Sequence, residues 1–329
     1  MFELTAMTRI FIRLSLVLPL TLAYMAPSSG QDQAWPQRSV RFILTLGPGS
    51  GTDIGTRVLA DRLSKRWGQP VAVENRPGGD AIVAINAFLT ANDDHVLLAS
   101  PVSSLSAHPY MLQHVPYKDG DLLPIARTFN AVVAIAVPAP MQAKSLADLV
   151  QTTRAQPGKL NWAGTTGALD FLFAGFLKMN DLDMARVPYR NPQDAAKDLA
   201  SERVQAVMAS VATLTSLIQS NKVKLLAVSN STRFPVYPGI PTVKEAGHPE
   251  LAFDGLVGFF GPKGMPLPRR EQIAADVREA LMEQEIVQRL GKMGVIANAG
   301  GPEEFTTSMR EQRDRLSVAA KALGLKAAQ

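Results

Sequence analysis

The 329-residue sequence predicts an α/β protein built as two lobes. Three observations carry that expectation. Strand-like apolar runs alternate with helix-like runs through most of the chain. Two glycine-rich loops, Leu46-Gly-Pro-Gly-Ser-Gly-Thr-Asp-Ile54 and Val73-Glu-Asn-Arg-Pro-Gly-Gly79, each follow such a strand and precede such a helix. Cysteine is absent, so an apolar core rather than disulfides must hold the chain.

The elements follow in order. Arg9 and Arg13 lead into an apolar run over residues 14–26, then Ser28, Ser29 and Gly30. A basic start, a short apolar core and a small-residue exit describe a secretory signal, with initiation at Met7 as a variant and cleavage near Gly30. A soluble periplasmic product is expected, without a lipid anchor because no cysteine exists to carry one. Residues 40–46 read as a buried strand, 54–67 as a helix capped by Thr52 or Asp53, and 71–74 as a second strand. A helix over 81–91 behind Asp80 and a strand over 95–99 complete a βαβαβ series. That order implies a parallel sheet with helices on both faces. Ligands on such sheets bind at the carboxyl ends of strands, where the loops starting at Gly47 and Ser100 fall.

A second block opens with a strand over 131–137, ended by Pro138. Helices over 145–154, 170–179, 192–201 and 213–220 then alternate with strands over 160–163, 185–188, 204–208 and 223–228. Pro235, Pro238 and Pro241 punctuate a turn-rich stretch. An apolar run over 256–260 and two amphipathic helices over 268–291 and 302–323 finish the chain. The expected division is a signal over 1–30, a first lobe over 31–133 to which 256–329 return, and a second lobe over 134–255. A single large α/β domain is the alternative.

Composition and spacing exclude several chemistries. The 34 basic and 29 acidic residues form no long basic run, and aromatics are only 6%, so no nucleic-acid partner is expected. Neither glycine loop carries Gly-Lys-Ser/Thr or dinucleotide spacing, so neither is a nucleotide cradle. His95, His108, His114 and His248 show no paired ligand spacing, and neither metal nor cofactor is expected. An exported hydrolase is the rival of a different class. It needs Gly-x-Ser-x-Gly, but Pro48 and Thr52 stand two residues either side of Ser50. His108 with a nearby serine is the remaining formal possibility for that rival. No catalytic residue is assigned. What the loops do offer is a helix N-terminus and free N–H groups, suited to an anion.

The residues also carry a resemblance. Trp35-Pro36, Gly49-Ser-Gly-Thr-Asp-Ile54, Val73-Glu-Asn-Arg-Pro-Gly-Gly79, Val115-Pro-Tyr117, Pro157-Gly-Lys-Leu-Asn161, Val187-Pro-Tyr-Arg190, Ala227-Val-Ser229, Ile240-Pro-Thr-Val-Lys-Glu-Ala-Gly247 and Gly261-Pro-Lys-Gly264 occur in that order behind the export signal. The series resembles the extracytoplasmic receptors of tripartite tricarboxylate transporters, the Bug-type solute receptors. The resemblance implies a two-lobed periplasmic-binding-protein fold, type II-like, with the ligand in the interlobe cleft. It implies a monomer that closes, near Val133 and Gly255, on a small organic acid, amino acid or related amide. The partner is then a set of membrane transporter subunits, or alternatively a sensor kinase.

Carried onto this chain, the ligand loops hold Gly49, Ser50, Gly51, Thr52 and Asp53, then Ser100, Ser103 and Ser104 in the first lobe. In the second lobe they hold Thr165, Thr166, Gly167 and Asp170, then Ala209 and Ser210. Ser50, Thr52, Thr165 and Thr166 read as carboxylate donors or as simple turn residues. Asp53 reads as a helix cap or a ligand contact. Asp170 stands where the resembled receptors use a small hydroxyl residue, and Ala209 where they often carry a carboxylate. Asp170 is therefore either a cap or a negative charge that asks for an ammonium or amide on the ligand.

Overall fold

The computed structural model describes residues 35–118, 120–165 and 167–327. The expected export segment over 1–30 and the site candidate Thr166 lie outside the described residues. In chain order, β1 (Val40–Leu44), α1 (Gly51–Trp67), β2 (Val71–Asn75), α2 (Ile82–Ala91), β3 (Val96–Pro101), α3 (Val102–Met111) and β4 (Leu122–Ala131) build the first lobe. The second holds β5 (Val133–Pro138), α4 (Leu146–Ala155), β6 (Asn161–Gly164), α5 (Ala168–Met179), β7 (Ala185–Pro188), α6 (Pro192–Ala200), β8 (Ala206–Ser210), α7 (Val211–Gln219) and β9 (Val223–Val228). The chain then returns through β10 (Gly255–Pro262), α8 (Leu267–Met282), α9 (Gln284–Lys292), β11 (Val295–Gly300) and α10 (Pro302–Ala322).

Two sheets result, ordered β11-β4-β10-β3-β1-β2 and β7-β6-β8-β5-β9. The expected parallel unit is present: β1 pairs in parallel with β2 and with β3. On its other side the first sheet is antiparallel, β10 lying between β3 and β4. In the second sheet β6 runs parallel to β7 and β8, while β5 opposes β8 and β9. One residue, Val132, separates the last strand of the first lobe from the first strand of the second. The return crossing reaches β10 at Gly255, where a Cβ would stand 2.3 Å from the Ala131 carbonyl oxygen. Only glycine lets the two crossing strands lie so close together.

The strands are buried because their residues are apolar on both faces. Phe42, Ile43 and Leu44 of β1, and Leu97 and Leu98 of β3, are fully covered. Phe42 stacks on Phe259 of β10 with ring centroids 4.5 Å apart, joining the parallel and antiparallel halves of the sheet. Helix α10 packs on β4 and α3 and also on α5 of the second lobe. No helix among the described residues is long and apolar enough to cross a membrane.

Three sequence readings change. Strand β4 was not foreseen; it contains Pro124, Arg127 and Asn130, and Pro124 sits opposite Phe260 at a register shift that tolerates a missing donor. Strand β11 was not foreseen either, being an irregular edge of small residues over Ala297–Gly300. The expected helix over 268–291 is two helices, broken at Glu283. That residue is extended (φ −68°, ψ 121°) and its carboxylate accepts from Arg62 Nε at 2.5 Å. No glycine or proline marks this break, since a tertiary ion pair occupies it.

Candidate functional site

The β1–α1 loop is built around one carboxylate. Helix α1 starts at Gly51, earlier than residue 54, and its cap is Ser50 rather than Thr52 or Asp53. Ser50 Oγ accepts from the Asp53 N–H at 3.2 Å. Asp53 Oδ2 accepts from the Gly49 N–H at 3.0 Å, and Oδ1 accepts from Arg57 Nε and Asn75 Nδ2, each at 2.9 Å. Asn75 Nδ2 also donates to the Leu46 carbonyl at 2.9 Å. Asp53 thus fastens the loop to its helix and to the end of β2, and its oxygens are taken by the protein. Helix geometry leaves the Gly51 and Thr52 N–H groups without intrahelical acceptors.

The start of α1 meets the second lobe. A Cβ at Gly51 would lie 3.0 Å from Ser210 Oγ, at the start of α7, and 3.0 Å from Ala131 Cβ. Ser210 Oγ is itself buried with no hydrogen-bond partner among the described residues. Gln193 Nε2 of α6 donates to the Gly49 carbonyl at 3.4 Å. The starts of α1 and α7 therefore converge between the lobes. Two positive dipole ends facing each other are stabilised by an anion placed between them.

The other expected residues divide. Ser100 is fully buried, accepts from Thr45 Oγ1 at 3.2 Å and donates to the Pro101 carbonyl at 3.1 Å, so it braces the end of β3. Ser103 is buried and Ser104 half-buried in the first turn of α3. Thr165 is buried beside Gly167, whose φ of 86° admits the chain into α5. Ala209 packs in the second-lobe core with Val132, Val211 and Leu214 and presents no side chain to the cleft.

Asp170 is not an unpaired charge. Arg186 Nε donates to its Oδ1 at 2.9 Å and its Oδ2 at 3.2 Å, and the guanidinium lies over Trp162, 5.9 Å from the ring centroid. Burial raises the Asp170 pKa, while Arg186 opposes that shift. The pair stands in place of a helix cap, one of the two roles expected for Asp170, because Arg186 sits on β7, the neighbour of β6, beside Gly164. The negative charge expected to demand an ammonium is thus already balanced by the protein.

Sequence reasoning missed the support beneath the second glycine loop. Residues 78–81 all have positive φ, including Asp80 (50°) and Ala81 (79°), a strained run for residues with a Cβ. Buried His108 holds it: Nε2 lies 2.6 Å from the Asp80 carbonyl oxygen and Nδ1 2.6 Å from Tyr117 Oη. The partners assign a neutral ring that donates from Nε2 and accepts at Nδ1. Burial depresses the His108 pKa below its ordinary value. The unfolded chain therefore binds the proton more tightly, so this stability is present above the ordinary histidine range and lost as pH falls through it. Urea midpoints are expected to drop between about pH 7 and pH 5, and His108→Gln to flatten that drop. An identical pH slope in the variant removes His108 as the cause. Arg76, in the same loop, pairs with Glu74 at 2.5 Å.

Among the described residues, Asp93, Asp94 and His95 bring ligand atoms within 4.8 Å of one another. Arg38 occupies the Asp93 carboxylate at 2.7 Å, and His95 Nδ1 lies 2.6 Å from Asp94, so these groups already pair within the protein.

Residues 56–325 match the model of the tripartite tricarboxylate transporter family receptor. BugT of Bordetella pertussis is 25% identical over 325 residues, which cover 97% of this chain and 99% of that protein. A solved protein of R. palustris with adipate is 22% identical with a TM-score of 0.83, covering 88% of this chain and 99% of that one. MatC from Rhodopseudomonas palustris with bound malate is 23% identical with a TM-score of 0.78, covering 86% and 99%. These solved structures share the two-lobed fold of periplasmic solute-binding proteins, the architecture expected from the sequence. The chain belongs to the tripartite tricarboxylate transporter receptor family.

Proposed function

We propose that this receptor closes its lobes on a small carboxylate-containing metabolite and delivers it to a tripartite tricarboxylate-type transporter. One observation carries the reading: Gly51 at the start of α1 stands against Ser210 at the start of α7. Such a pair of helix starts stabilises an oxyanion held between them and needs no metal or cofactor. Ser50 and Thr52 at the start of α1, and Thr165 directly after β6, add small hydroxyl residues to these loops. Asp170 imposes no demand for an ammonium, because Arg186 neutralises it. Adipate and malate, bound by the two R. palustris proteins, are accordingly the first compounds to try.

Calorimetry on the processed chain with adipate, malate and a panel of monocarboxylates tests this. At least one carboxylate is expected to bind saturably, and adipamide, which keeps the shape of adipate without its charge, to bind far more weakly. Failure of every carboxylate, or equal affinity for adipamide, would sink the reading. Wild type and Asp170→Ser are expected to rank an amino acid and its deaminated acid in the same order.

A further inference from the structure

A cavity of about 160 Å³ lies against the two crossings between the lobes. Asn130 enters it from the end of β4, and Phe253, Asp254 and Leu256 from the return crossing. Its remaining wall is Arg127 of β4, Asn298 of β11 and one face of α10. The space is small but exceeds by several-fold what one ordered water requires.

The wall is polar and incompletely paired. Arg127 donates to three neutral oxygens, Ser308 Oγ at 2.8 Å and the Asn298 and Ala299 carbonyls at 3.2 and 3.4 Å. No carboxylate lies within ion-pair distance of it among the described residues. Gln312 is only 6% exposed; its Nε2 donates to the Asp254 carbonyl at 2.8 Å, while its Oε1 is buried without a partner among the described residues. Such an orphan acceptor in a polar cavity wall costs free energy until a donor reaches it. Glu311 and Arg315 stand four residues apart on α10 at the rim, a spacing suited to an ion pair. Neither is engaged by a hydrogen bond or ion pair among the described residues. Asp254, the other carboxylate, is already taken: it accepts from Asn230 Nδ2 at 3.3 Å and from the Ser231 N–H at 3.2 Å.

We infer that this hinge cavity is a second ligand site, for a small zwitterionic amino acid. Its carboxylate meets the guanidinium groups of Arg127 and Arg315, which accept no proton and suit a planar oxyanion. Its ammonium meets Glu311 and the Gln312 carbonyl on the adjacent turn. A plain anion leaves Glu311 and Gln312 unanswered, and a plain cation leaves both arginines.

L-alanine, propionate and ethylamine separate these cases, the last two each lacking one of the two charges. Calorimetry or ligand-observed NMR on the full processed chain is expected to give saturable binding of L-alanine and at least tenfold weaker binding of the other two. Arg315→Ser and Glu311→Gln, both at exposed positions that fold does not require, are each expected to weaken L-alanine roughly tenfold, the value of a lost charge-assisted hydrogen bond. Propionate binding as well as L-alanine, no saturable L-alanine binding, or L-alanine binding unchanged by Arg315→Ser and Glu311→Gln would each overturn the assignment.

Discussion

Gly51→Val is expected to prevent lobe closure and to weaken the cleft ligand by about 100-fold, close to 2.7 kcal/mol. The reason is contact between lobes. A single Cβ at position 51 already stands 3.0 Å from Ser210 Oγ and 3.0 Å from Ala131 Cβ. Valine adds two methyl groups on a side chain with little rotameric freedom in a helix, so they cannot swing aside. Opening the cleft relieves the Ser210 clash and leaves only a few tenths of an ångström to be absorbed at Ala131. The substitution thus acts on the closed state far more than on the open one, and a ligand that selects the closed state loses affinity by that difference. Gly51→Ala, with one carbon, is expected to lose roughly tenfold. Calorimetry measures the affinity, small-angle scattering the ligand-induced compaction, and circular dichroism the intact fold. Unchanged affinity with normal compaction would show that α1 and α7 do not meet in the bound form.

The parts of this fold legible in the sequence are those set by local signals. Apolar strands such as residues 40–44, glycine loops and helix starts marked by serine or proline announce themselves, and the parallel β2-β1-β3 unit follows from their alternation. Strand β4 does not announce itself. Its Arg127 and Asn130 look like loop residues until β10 and β11 flank it and their polar ends find partners at the crossings. The break at Glu283 is invisible for the same reason, since Arg62, 221 positions away, fixes it. In the site, the β1–α1 loop was legible as an anion-suited helix start, because free N–H groups there are a property of any helix. The state of Asp170 was not, because its partner Arg186 lies on a different strand. Ala209 shows the converse: its position in the loop order suggests a cleft residue, whereas the pleat of β8 turns its side chain into the core.

Asp53→Ala is expected to cost about 3 kcal/mol of stability, and Asp53→Asn nearly as much, about 2 kcal/mol. The two readings of this residue predict different asparagine variants. An aspartate that only complements the dipole in the first turn of α1 contributes about 0.3–1 kcal/mol, and asparagine there loses little more than that. An aspartate that accepts from three donors at once behaves differently. Its carboxylate is nearly covered, with 6% of the side chain exposed, and takes the Gly49 N–H, Arg57 Nε and Asn75 Nδ2 at 2.9–3.0 Å. An asparagine amide must turn its own NH₂ toward at least one of those donors, so a bond is replaced by a repulsion. Arg57 retains Asn75 Oδ1 at 2.8 Å and is half exposed, which limits the loss on that side. The Gly49 N–H has no comparable second acceptor, and Gly49 carries the carbonyl that Gln193 reaches from the other lobe. The same substitution is therefore expected to weaken the cleft ligand as well, about tenfold, because the loop that aims Gly51 and Thr52 loses its fastening. Urea unfolding of wild type, Asp53→Asn and Asp53→Ala measures the first effect and calorimetry the second. A loss below 1 kcal/mol in Asp53→Asn, with ligand affinity retained, would reduce Asp53 to a helix-start charge and leave the loop to be held by Ser50 alone.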